Sequence, residues 1–133
     1  MRVLALDYGA ASCGCAVSDP TGVLATPIEP VATPSSRRGL GRLRALVVEL
    51  EAGRVVVGLP VALNGGESAQ TVETRAFAKR LAQALPVPVE LYDERLTTRL
   101  AQRTGGRISE HSRAAAHLLE SWLAVQDPEM THG

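Results

Sequence analysis

The chain is poor in aromatic side chains: among 133 residues, Phe77, Trp122, Tyr8 and Tyr92 are all it has. Core volume must therefore come from valine, leucine and alanine, and the base-stacking platforms of single-strand binders are not expected. It has no excess of charge either. Fourteen basic residues balance fourteen acidic ones, which removes the simplest argument for a polyanionic partner. Lysine is nearly missing. Apart from Lys79 every positive side chain is a guanidinium, a group that grips phosphate bidentately, although genome composition also produces this bias. The two cysteines, Cys13 and Cys15, stand two apart in a strand-like stretch, where disulfide geometry is poor and the further ligands of a zinc site are missing. They read as small reduced core residues. No apolar run approaches a membrane span, and Asp7 interrupts the apolar start that a signal peptide would need. A cytoplasmic protein is the expectation.

The length suits one domain, expected over residues 1–126 with a flexible tail at 127–133. Met1–Leu6 is a short continuous apolar run closed by Asp7, which suits a strand covered on both faces. Cys13–Asp19 alternates as a second strand, Asp19-Pro20-Thr21-Gly22 is a turn, and Val23–Ile28 gives a third strand. Ser35 or Ser36 caps a helix with Leu40, Leu43, Val47 and Leu50 inside, weakened by Gly39 and Gly41 and ended by Gly53. Arg54–Leu59 reads as a central parallel strand. A helix over Ser68–Leu85 buries Val72, Ala76, Phe77, Leu81 and Leu85, and Val89–Asp93 forms a last strand. A short helix from Thr97 or Thr98 stops at Gly105-Gly106. A final one, capped by Ser109, turns Ala114, Ala115, Leu118, Trp122 and Val125 inward. The order β-β-β-α-β-α-β-α-α predicts an α/β fold: a mixed five-stranded sheet, three strands in an antiparallel meander and two parallel, flanked by helices.

Sites in such sheets gather at the carboxyl ends of strands, and Asp7, Asp93 and Glu94 lie at such ends. Asp7 is followed closely by Gly9, so a ligand can approach, as phosphoryl chemistry on carboxylate-held magnesium or manganese requires. Asp93 and Glu94 are adjacent in a strand and point to opposite faces, so only one of them enters a given site in regular geometry. Arg95, Arg99, Arg103 and Arg107 recur every four residues, a phosphate track if the helix is continuous.

Assembled in order, these residues make the sequence resemble the YqgF/RuvX family of Holliday junction resolvases and pre-16S rRNA nucleases, over nearly the whole chain. The motif D-x-G-x-x-x-x-G-x-A-x-S-D appears as Asp7, Gly9, Gly14, Ala16, Ser18 and Asp19. V-V-G-L-P is Val56–Pro60, followed by Asn64-Gly65, and Arg75 and Phe77 fall on an R-x-F-A signature. D-E-R-L-T-T is Asp93–Thr98, and Leu118–Leu123 echoes a closing helix motif. The resemblance implies an RNase H-like fold and a nuclease using magnesium or manganese on RNA or DNA, as a monomer or homodimer. It implies metal ligands at Asp7 and Glu94, with Asp93 in reserve. Gly9, Asn64, Arg75, Arg95, Thr97 and Arg99 would contact substrate. Two departures stand out. His111 replaces the aspartate that opens the final helix in relatives, with Glu110 beside it as a substitute, and its position three, four and seven residues before Ala114, Ala115 and Leu118 aims it at the sheet and Asp7. Ala10 and Ala11 replace a hydroxyl and a positive charge. A rival reading is a ribosome-assembly factor that binds nucleic acid at a decayed site. Another, an actin-like phosphate-binding lobe, leaves the D-E-R-L-T-T stretch unexplained.

Overall fold

A computed structural model describes residues 1–60, 66–93 and 110–126. Strands β1 (Arg2–Asp7), β2 (Ser12–Ser18) and β3 (Ala25–Ala32) precede helix α1 (Arg37–Glu49). Then come β4 (Ala52–Leu59), α2 (Ala69–Ala84), β5 (Val89–Asp93) and α3 (Glu110–Gln126). The strands form one sheet in the order β3-β2-β1-β4-β5, with β1–β2 and β2–β3 antiparallel and β1–β4 and β4–β5 parallel. The mixed five-stranded sheet expected from the sequence is what forms. The short helix expected after Thr97, the Ser109 cap and the tail from 127 lie outside the described residues.

Alternation along β1 and β4 divides the core. Leu4, Leu6, Val55 and Val57 face α1 and α2 together with Leu43, Phe77 and Leu81. Val3, Ala5 and Val56 face α3, where Ala115, Leu118, Leu119 and Trp122 cover them. Both central strands are thus buried on two sides, which is why they read as continuous apolar runs.

Three inner faces differ from the sequence expectation. In α2, Val72 and Ala76 are exposed while Thr71 and Thr74 are buried. Their hydroxyls are satisfied locally, Thr71 by the Ser68 cap and the Pro60 carbonyl, Thr74 by the Gln70 carbonyl at 2.8 Å. Burial of these hydroxyls therefore costs little. In α3, Ala114 and Val125 are exposed, and the buried stripe runs through Ser112, Ala115, Ala116, Leu118, Leu119 and Trp122. In α1, Ser36 is the cap, its Oγ accepting the Gly39 N–H, and Leu40 and Leu50 are only partly buried. That helix ends at Leu50, with Glu51 in the left-handed region at φ 55°, so Gly53 is a strand residue and not the terminator. The third strand runs on to Ala32 through Pro27 and Pro30. An edge strand tolerates this because its outer N–H groups face no partner.

Asp19 ends the first sequence motif as a turn residue. Its Oδ1 accepts the Val23 and Leu24 N–H groups, each at 2.8 Å, and Oδ2 accepts the Thr21 hydroxyl. Thr21's hydroxyl first, and then the Leu24 and Val23 amides, hold this carboxyl well below the usual carboxylate range. A folded value below the unfolded one of about 4 means the turn's stabilisation is complete above that pH and is lost on acidification. The melting-temperature gap between wild type and Asp19→Ala should therefore be widest near neutrality and narrow steadily toward pH 2, as followed by circular dichroism.

Candidate active site

Asp7 is the last residue of β1 and shares the α3 face with Val3 and Ala5. Glycine stands beside it on both neighbouring strands. Gly14 of β2 is its register partner, and in β4 Gly58 follows Val57, the partner of Leu6. The carboxylate thus sits in a gap in the layer of side chains, one-fifth exposed.

The first turn of α3 fills one side of that gap. A Cβ on Gly14 would come within 2.1 Å of the His111 carbonyl carbon and oxygen and 2.5 Å of the Ser112 nitrogen. Only a residue without a side chain lets the helix backbone lie on the strand here. A hydrogen bond from β2 fastens the contact. The β2–β3 register shifts between Cys13 and Cys15, and the Cys15 N–H donates to Ser112 Oγ at 3.1 Å. Ser112 is fully buried. At its far end α3 is tied to β5: Trp122 Nε1 donates to Glu90 Oε2 at 3.0 Å, and the Tyr92 and Ser121 hydroxyls lie 3.0 Å apart. Ten residues of helix rise about 15 Å, and the three strand spacings from β2 to β5 span about 14 Å. One helix therefore crosses the sheet and is pinned at both margins.

So held, α3 places His111 Nδ1 3.3 Å from Asp7 Oδ2, across 104 residues of sequence. The imidazole is 57% exposed, and a ligand can reach it. Glu110 is next to it in the first turn and exposed.

The other expected site residues are placed as follows. Asp93 closes β5 in register with Leu59; by alternation it shares the α1–α2 face with Val89 and Leu91, whereas Glu90 and Tyr92 meet α3. Asp93 and Asp7 thus lie on opposite faces of the sheet. Gly9 makes the β1–β2 turn, where a Cβ would meet the Ser12 carbonyl at 2.7 Å. Arg75 belongs to α2, on the side away from α3, and its guanidinium is engaged by Glu67 at 2.6 and 2.7 Å. Asn64, Glu94, Arg95, Thr97 and Arg99 lie outside the described residues. Among the described residues no three His, Cys, Asp or Glu side chains group as metal ligands. Cys13 and Cys15 are buried free thiols; the hydrogen bond between them and then burial push Cys13 well above an ordinary thiol, so it is inert.

Sequence reasoning passed over Ser112 and Tyr8. Ser112 was hidden by its polarity. Tyr8, directly after Asp7, points to the other face, stacks on Phe77 with ring centroids 4.4 Å apart and donates to Glu73 Oε2 at 2.7 Å. Burial pushes its phenol above the ordinary value, and the Glu73 carboxylate adds to this. It anchors the end of β1 from behind.

This topology, with an acid at the carboxyl end of the first strand facing a helix that crosses the sheet, defines an RNase H-like α/β protein. RuvC from Thermus thermophilus, solved in complex with a Holliday junction substrate, shares the fold at a TM-score of 0.56 and 19% identity over 95% of each chain. The chain belongs to the RuvX family, whose model, described as Holliday junction resolvase, matches residues 1–125. Three bacterial relatives carry the name "Putative pre-16S rRNA nuclease". The one from Thermobifida fusca is 52% identical over 109 residues, 77% of this chain and 65% of its own length. That from Clavibacter michiganensis is 44% identical over 127 residues, covering 92% and 79%. The Mycobacterium tuberculosis relative is 47% identical over 135 aligned positions, covering 92% and 78%.

Two substitutions test the seat of α3. Gly14→Ala forces helix and strand apart and should cost about 1–3 kcal/mol, the usual price of overpacking. Ser112→Ala leaves the Cys15 N–H buried without a partner and should cost a similar ~1–3 kcal/mol. Both losses are measurable by urea unfolding, and an unchanged midpoint for either would show that α3 is seated by other contacts.

Proposed function

We propose that the chain is a nuclease that hydrolyses phosphodiester bonds with a divalent cation held between Asp7, His111 and Glu94. The observation that carries this is the meeting of Asp7 and His111 in the glycine-flanked gap, in a member of the RuvX family. One carboxylate and one imidazole are a fitting partial donor set for manganese, and a poorer one for magnesium. A third donor has to come from beyond the described residues. Glu94 is the donor that the D-E-R-L-T-T motif supplies next to Asp93; Asp93, on the α1–α2 face, suits the role less. Glu110 is the reserve.

When bound, magnesium or manganese lowers the pKa of a coordinated water and stabilises the leaving oxygen. Asp7 supplies anionic oxygens between Gly14 and Gly58, where its side chain is one-fifth exposed. His111, neutral when it ligates, turns one ring nitrogen to the centre and closes the side next to β2. Phe77 and Glu73 keep Tyr8, and with it the end of β1, from shifting. Gly9, Asn64, Arg95, Thr97 and Arg99 would hold the strand across the site, and Arg75 would do so only after releasing Glu67. The products would be a 5′-phosphate and a 3′-hydroxyl.

The relatives' names point to pre-16S rRNA as substrate, with its 5′ end as the site of action in this reading, and the family description points to Holliday junctions. Cutting a four-way junction symmetrically takes two copies, whereas trimming an rRNA end takes one. Among the described residues no helix is long and apolar enough to cross a membrane, and cytoplasmic action on either substrate is part of this reading. A second reading, a nucleic-acid-binding assembly factor with weakened catalysis, is favoured by His111 in the acidic position and by Ala10 and Ala11 in the turn.

The test is a panel of precursor rRNA ends, single strands, duplexes and four-way junctions, each with magnesium and with manganese. Wild type should cut at least one, better with manganese. Asp7→Asn should lower the rate by more than about 100-fold, because even the outer partners of metal ligands are worth 10–100-fold. Equal rates for the two proteins would mean contamination; tight binding without cutting in every lane would establish the second reading.

A further inference from the structure

Helix α1 is charged against its own dipole. Anions are favoured near a helix N-terminus and cations near its C-terminus, yet α1 opens on Arg37 and Arg38, has no acid in its first turn and no base in its last, and ends on Glu49. Both arginines are exposed, and among the described residues neither forms an ion pair with a carboxylate. Helix stability does not account for them. A third guanidinium comes from a different element: Arg80 of α2 donates from Nη1 to the Ser35 carbonyl at 2.8 Å. Glu73, an acid that reaches the same place, accepts the Tyr8 hydroxyl. That hydroxyl lies 3.1 Å from Ser35 Oγ, and Tyr8 follows Asp7 in the chain. The basic cluster therefore adjoins the carboxyl end of β1, on the face away from α3. In a chain of zero formal net charge, three guanidinium groups thus come from around Ser35, beside the strand that Asp7 closes.

We propose that Arg37, Arg38 and Arg80 bind backbone phosphates of a nucleic-acid strand that leaves the Asp7 centre over the end of the sheet and continues onto the α1–α2 side. The proposal rests on the nuclease reading above. Guanidinium groups grip phosphate oxygens without reading bases, so the contact is independent of sequence and offers the same chemistry to RNA and DNA. A phosphate there also offsets the repulsion between the arginines and the positive end of α1.

The experiment compares full-length wild type with Arg37→Gln/Arg38→Gln. Fluorescence anisotropy in EDTA follows binding of labelled 20-nucleotide RNA and DNA single strands across a salt series. The variant should bind about tenfold more weakly, and the slope of log affinity against log salt should fall by about 1.4, the value for two lost contacts to a single strand. A loss confined to one polymer identifies that polymer as the occupant. The variant's melting temperature should not drop, because removing these charges relieves the helix; a clear drop would assign the arginines to the fold and overturn the proposal. Equal affinity and slope for both proteins would overturn it too, while leaving the nuclease reading intact. A wild type that binds neither polymer and cuts nothing in the panel would sink that reading first.

Discussion

The arrangement depends on one close approach: the backbone of α3's first turn lying on β2 at Gly14, fastened by the Cys15 N–H to Ser112 Oγ. Everything on the α3 face follows from it. The helix is long enough to cross from β2 to β5, and with its start pinned its rotation is set. Ala115, Leu118, Leu119 and Trp122 then cover Val3, Ala5 and Val56, and His111 lies against Asp7. A side chain at position 14 would lift the start of the helix, and the imidazole would leave the carboxylate with it.

The opposite face of the sheet holds the end of β1 by different means. There the polar groups are tyrosine, glutamate and serine. Tyr8 stacks on Phe77 and bonds to Glu73 and Ser35. Asp7 is thus positioned between a helix docked through a missing side chain and a tyrosine docked through a filled pocket. A mostly buried backbone with one partly exposed carboxylate is a rigid mount for a group that must meet a ligand without rearranging. Arg37, Arg38 and Arg80 lie around Ser35, next to this mount.

RuvC from Thermus thermophilus shows that the same frame accommodates very different sequences: 19% identity still gives the same chain path over 95% of both proteins. Which side chains the frame carries is particular to each chain, and here a histidine occupies the first turn of α3.

The order of the described elements and the division into meander and parallel strands were legible in the residues, because alternation, apolar runs and turn residues are local signals. The inner faces of α2 and α3 were not. Ser112 is buried because Cys15, 97 residues away, is its partner, and no window of sequence contains both; Thr71 and Thr74 are satisfied locally, by Ser68 and Gln70, and polarity alone hid a burial that costs little. Nor could the sequence tell that Arg75 would be taken up by Glu67, or that the face of β5 carrying Leu91 and Asp93 would turn to α1 and α2, since one is a matter of rotamers and the other of how the layers pack. Local pattern determined which elements form and which residues have the right chemistry. Helical spacing aimed His111 toward Asp7, but tertiary packing decided how closely they meet, because a contact across 104 residues depends on a helix seated over a glycine, and hydrophobic periodicity carries no record of that seat.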